Sequence, residues 1–122
     1  MRVTIHGARG KMIRIRAVVR RAVREALAGQ WPPDTINIVI KDDPYLRALN
    51  EEYFHKKRGT NVISFDLGDI WEIYVSRDRA RDAEELDYYI IHGLLHLAGY
   101  DHHNKRDRLR MHRKCIELLQ NE

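Results

Sequence analysis

A chain of 122 residues, 43% of them apolar, is long enough for one packed core and too short for two. No apolar run approaches the roughly 20 residues that span a bilayer, which argues against a membrane helix, and "MRVTIHGARG" lacks the apolar centre of a secretory leader. The net charge is +4, and a single cysteine, Cys115, excludes an internal disulfide and suits a reducing, cytoplasmic setting.

Arg2 to His6 predicts a short strand, with Val3 and Ile5 alternating against polar residues. From about Lys11 to Ala28, Met12, Ile15, Val19, Ala22 and Ala26 recur at the spacing of one helix face. Arg16, Arg20 and Arg24 lie four apart on another face, and no acidic residue precedes Glu25. Such a face suits a polyanion, because Arg and Lys displace counterions from phosphates, or else a solvated surface, and charge alone leaves both readings open. Gly29 and Pro32-Pro33 end this helix. "TINIVIK" is the second strand, with Ile36, Ile38 and Ile40 on one side. A second helix begins at Asp43-Pro44, where proline suits the first turn, and carries Leu46, Leu49, Asn50 and Tyr53 at helical spacing.

A second basic cluster, "HKKRG" from His55 to Gly59, precedes the β-rich run Thr60 to Phe65. "DLGD" turns the chain into an alternating strand, Ile70 to Ser76, so these two runs predict an antiparallel hairpin. The remainder is helical with one break at Gly99, and its last segment holds a third basic cluster, Asn104 to Lys114. The order predicts an α+β fold: a single domain over residues 1–122, with a small mixed four-stranded sheet and a central helix carrying histidines.

That central helix should run from about Ala83 to Ala98. Its second half, "IIHGLLHLA", is apolar nearly all round, the mark of a buried helix. His92 and His96, four apart, project from one face. Gly99 suits the left-handed position that ends a helix, and the returning chain brings His102 toward the same point. Three separate hydrogen-bonded core histidines would need three buried partners, whereas one metal serves all three. Three imidazoles with a fourth position open is the design of a catalytic zinc site. The spacing also matches the protease signature H-E-x-x-H-x-x-G-x-x-H, except that Gly93 stands where those enzymes carry the glutamate base. Gly93 is expected to leave room for a bulky ligand or for a close helix contact.

"HGLLHLAGYDH", His92 to His102, resembles the signature of the YbeY family of bacterial endoribonucleases. "LNEEY", "TNVISF" and "LGDI" resemble further blocks of that family, and Met111 sits where it has a methionine in the last helix. The resemblance implies an α+β fold and a metal site at His92, His96 and His102. It implies a single-strand-specific endoribonuclease acting on small-subunit ribosomal RNA and in ribosome quality control. Two positions depart from the pattern. Phe54 stands where the family usually has arginine, and Gly59 stands where it usually has proline before Thr60.

The expected chemistry is metal-assisted hydrolysis of an RNA phosphodiester, with zinc bound by the three histidines and nickel or another divalent transition metal as an alternative. A cation should stabilise the developing charge, Arg58 as first choice and Lys57 as second. Asp101 is expected to orient a histidine or to cap the turn. His103 is expected to be exposed, and His112 to pack within the last helix. Arg16, Arg20 and Arg24 are the expected RNA contacts, and the small ribosomal subunit the expected partner, with no membrane involved. The competing readings are a metal-dependent peptidase or amidohydrolase, and a ribosome-binding module whose metal only staples two helices.

Overall fold

The computed structural model describes residues 1–100 and 103–120. Among these, four strands and four helices follow one another as β1 (Arg2–His6), α1 (Met12–Leu27), β2 (Thr35–Lys41), α2 (Asp43–Phe54), β3 (Val62–Asp66), β4 (Ile70–Ser76), α3 (Ala83–Leu97) and α4 (Lys105–Gln120). The sheet order is β1-β2-β4-β3. β2 pairs in parallel with β1 and β4, and β3 closes the hairpin antiparallel to β4. The predicted α+β class and mixed sheet are therefore what forms; the third strand begins two residues later than the β-rich run suggested.

Alternation along the strands creates two different sheet faces. Val3 and Ile5, Ile36 and Ile38, and Trp71 and Ile73 lie side by side in register and are all buried. α1 and α3 pack on this face, and α4 packs on both of them. The opposite face receives α2. There Tyr45 meets Tyr74 at 6.2 Å between ring centroids, and Tyr53 meets Phe65 edge-on at 5.2 Å. Tyr53 is nevertheless half exposed, and the buried residues of α2 are Leu46 and Asn50.

α1 differs from its predicted inner face. Ile15, Val18, Val19, Ala22, Val23 and Leu27 are buried, while Met12 is exposed. A helix wedged between a sheet and two other helices needs a wider apolar stripe than a single line at i, i+4. The arginines between those residues are also drawn inward. Arg14 donates to Asp87 Oδ2 of α3 at 2.7 Å, and Arg21 to the Leu118 carbonyl of α4 at 2.8 Å. Part of the basic N-terminal run is thus a set of struts between helices.

α2 and α3 start on aspartate caps: Asp42 accepts from the Tyr45 N–H at 3.0 Å and Asp82 from the Glu85 N–H at 2.9 Å. Among the described residues, no helix is long and apolar enough to cross a membrane.

Candidate metal centre

His92 and His96 extend from α3 one turn apart. Their ring centroids are 5.0 Å apart with the planes at 75°. Both rings are half-buried and line a cleft of about 650 Å³. Its opposite wall is β3, the free edge of the sheet, through Val62, Ser64 and Asp66; Asn50, Phe54 and Lys56 close the side formed by α2 and the loop after it.

α3 reaches this position because residue 93 is glycine. A β-carbon there would stand 2.7 Å from Ser64 Oγ and 2.9 Å from Ile73 Cγ2. The Ser64 hydroxyl instead donates to the Gly93 carbonyl at 3.2 Å. Of the two expectations for Gly93, the close contact is the one realised, and it is made with the sheet rather than with another helix. The position where proteases of similar spacing carry their glutamate is filled here by the strands beneath.

Imidazoles one helical turn apart and turned toward one space are the nitrogen donor pair that zinc and its neighbours prefer. His92 and His96 fit two places of a three-histidine set. Among the described residues, no group of three or more His, Cys, Asp or Glu gathers to hold a metal. His102 and Asp101, the expected third ligand and its neighbour, lie outside the described residues.

Tyr88, one turn before His92, stacks on its ring at 6.3 Å and 26°. Its hydroxyl meets His112 Nδ1 at 2.6 Å. Burial, with Cys115 beside it, pushes the Tyr88 hydroxyl up to about 12, so it keeps its proton at neutral pH. His112, expected to pack, is exposed and joined to Tyr88, because it stands on the solvent side of the α3–α4 seam. Burial likewise pushes the Cys115 thiol up to about 12, which leaves it an unreactive core residue. His103 is exposed, as expected.

The loop cations divide. Among the described residues lining the cleft, Lys56 is the one lysine or arginine. Lys57 and Arg58 are exposed and do not line it. Their carbonyls hold the loop in place, that of Arg58 by accepting from buried Asn50 Nδ2 at 3.0 Å and that of Lys57 from Arg47 at 3.4 Å. Gly59 lies where a β-carbon would collide with Arg79 and stand 2.9 Å from Asp43 Oδ2, while Asp43 Oδ1 pairs with Arg79 Nε at 2.6 Å.

The structure does not bring Arg16, Arg20 and Arg24 to the histidines. Arg16 donates to the Val3 carbonyl at 3.3 Å and Arg20 to that of Met1 at 3.5 Å, so both sit over β1, the edge opposite β3. Arg24 is exposed.

Sequence reasoning missed Tyr88 and undervalued Asn50. A tyrosine four residues before His92 is the available signal for the first. For the second, the signal is an asparagine on the inner side of α2, where a buried amide needs backbone partners.

Fold and cleft together define a small α+β protein with a candidate hydrolase site on its central helix. The model of the family described as Endoribonuclease YbeY matches residues 7–121, and the chain belongs to that family. An Endoribonuclease YbeY from Anaeromyxobacter sp. (strain Fw109-5) is 36% identical, the match covering 100% of this chain and 71% of that one. One from Neorickettsia sennetsu is 31% identical over 89% of this chain and 86% of the relative. The solution structure of TM1509 from Thermotoga maritima is similar, with a TM-score of 0.55 and 26% identity, covering 96% of this chain and 88% of that one.

Proposed function

We propose that this protein is a metal-dependent endoribonuclease that hydrolyses phosphodiester bonds in single-stranded RNA during ribosomal RNA processing. The observation that carries the reading is the match of the YbeY family model to nearly the whole chain, with the family's paired histidines lining the cleft. In this reading the substrate is small-subunit ribosomal RNA, the setting is the cytoplasm, and the work extends to ribosome quality control.

His92, His96 and His102 would hold one zinc ion, with nickel as the alternative. Such a metal supplies an activated water near neutral pH and polarises a phosphoryl oxygen. The remaining roles belong to the chain. Lys56 lines the cleft in the region where Phe54 has replaced the usual arginine, and its ammonium is assigned the charge that builds on the phosphoryl group. Asn50 fixes the loop that carries Lys56 through its bond to the Arg58 carbonyl. Tyr88 holds the His92 ring by stacking while its hydroxyl is tethered to His112.

The test is cleavage of an unstructured RNA by metal-loaded protein, wild type beside His96→Ala. Cleavage by the wild type that is lost in the variant supports the reading. Equal cleavage by both would assign the activity to a contaminant and refute it. Casein in a parallel reaction distinguishes the peptidase reading.

A further inference from the structure

We propose that Trp31, with Arg20 and Arg24, forms a second single-stranded RNA contact: an anchoring platform separate from the cleft. The proposal rests on the reading of the substrate as RNA.

The chain has two tryptophans, and their environments are opposite. Trp71 is 8% exposed in the core, while Trp31 is 97% exposed in the loop between α1 and β2. An indole in water on nearly every side contributes nothing to the core. Its flat faces are therefore open for stacking, and its chain neighbours Gln30 and Pro32 form part of the wall of a shallow groove. That groove is also lined by Arg20 and Arg24 from successive turns of α1, and by Met1 and Leu27. No carboxylate lines it among the described residues, although Glu25 follows Arg24 directly in the chain and Asp34 lies three residues beyond Trp31.

A cationic groove beside an exposed aromatic ring is the combination that holds single-stranded nucleic acid: the arginines meet phosphates and a base stacks on the ring. Protein-binding hot spots also use tryptophan and arginine, but they centre on apolar pockets that close when the partner docks. Here the aromatic ring projects into solvent and the groove beside it carries the charge, which favours a polyanion with flat bases.

Position supports the same occupant. The Trp31 loop leads into Thr35, which pairs with Ile70; Asp66, one of the residues lining the cleft, pairs with Trp71. The Trp31 loop and the Asp66 end of the cleft therefore lie at the same end of the sheet. β3 is two strand spacings from β2, into which the Trp31 loop leads, and three from β1, over which Arg20 lies, about 10 and 14 Å. A strand leaving the cleft past Asp66 reaches Trp31 within roughly 4–16 nucleotides, the site size of a single-strand-binding domain such as an OB fold.

Trp31 is its own probe. Titration with an unstructured oligouridine of about twelve nucleotides should quench the exposed tryptophan, and Trp31→Phe should remove that change because buried Trp71 does not respond. Trp31→Ala should weaken binding about 5- to 150-fold, the range for one stacked base, and Trp31→Tyr should restore part of it. Arg20→Ala and Arg24→Ala should each lower the log–log salt slope by about 0.7. In single-turnover cleavage Trp31→Ala should need a proportionally higher enzyme concentration to reach half its maximal rate, whereas His96→Ala should lose cleavage and still show quenching. Unquenched fluorescence at saturation, or unchanged affinity in Trp31→Ala, would overturn the platform even if the protein cleaves RNA. Self-association that Trp31→Ala abolishes, with RNA affinity intact, would overturn it in favour of a contact between copies. Quenching without any cleavage would leave the platform standing and overturn the nuclease reading.

Discussion

Replacing Gly93 by alanine tests how α3 is seated. The new methyl carbon would stand 2.7 Å from Ser64 Oγ, 2.9 Å from Ile73 Cγ2 and 3.1 Å from Val62 Cγ2. The hydroxyl can turn away, but the two methyls belong to β-branched side chains with little rotamer freedom, set in paired strands. Forcing a methyl into such a packed contact costs about 1–3 kcal/mol, and these distances place it in the upper part of that range. Alanine regains about 1 kcal/mol of helix propensity. The net expectation is a loss of about 1–2 kcal/mol, read as a lower urea midpoint with an unchanged slope. Ser64→Ala should cost about 1 kcal/mol alone, for the bond to the Gly93 carbonyl. Combined with Gly93→Ala it should cost less than the sum, since the nearest colliding atom is gone. A Gly93→Ala protein more stable than wild type by the propensity term would refute the seating argument.

Arg14→Ala should destabilise by about 1.5–3 kcal/mol, because it removes a 2.7 Å charged hydrogen bond to buried Asp87; thermal melts of Arg14→Ala and Arg14→Lys check it. Removing bound metal with a chelator should lower the melting temperature, since a ligand held only by the folded state stabilises it, and His92→Ala and His96→Ala should lose stoichiometric metal by elemental analysis. The hydrogen bond from Arg79 holds the Asp43 carboxyl below its ordinary value, so its contribution is present above the usual carboxylate range and fades as the pH falls through the lowered value; Asp43→Asn should flatten that part of an acid-denaturation profile. Lys56→Ala should slow single-turnover RNA cleavage by about 10²–10³ with metal content unchanged, whereas Arg58→Ala should change it much less; the reverse order would return the catalytic charge to Arg58.

The elements themselves were legible because each carries a period that no tertiary contact overrides. "TINIVIK" sets Ile36, Ile38 and Ile40 on one side and "IWEIYVS" sets Trp71, Ile73 and Val75 on one side, and they became neighbours in a parallel ladder. What the sequence could not show was which neighbours a face would meet. Met12 fits the period of the inner face of α1 but lies in its first turn and stays in water, while Val18 and Val23, off the predicted line, are covered by the rest of the core. Gly93 is open to two readings in the sequence because a mid-helix glycine says that something approaches, and only the packed fold shows that Ser64, Ile73 and Val62 do.

The histidine pair was legible for a related reason: a spacing of four on a helix fixes a shared face whatever surrounds it. Charge carries no such geometry. An arginine's long stem can fold its head onto a neighbouring carbonyl or carboxylate, and eight cations before Glu25 looked like one uninterrupted surface. In the fold, Arg14 and Arg21 brace α3 and α4, and Arg16 and Arg20 reach back to β1. The same reasoning applies in "HKKRG", where the sequence favours Arg58 and then Lys57 but does not show which of three adjacent cations faces the cleft. There the left-handed cap at His55 and the Asn50 bond to the Arg58 carbonyl set the course of the loop, and Lys56 is the one whose side lines the cleft. Backbone direction, set by a buried asparagine several residues away, thus selects which of three like charges can meet a phosphate.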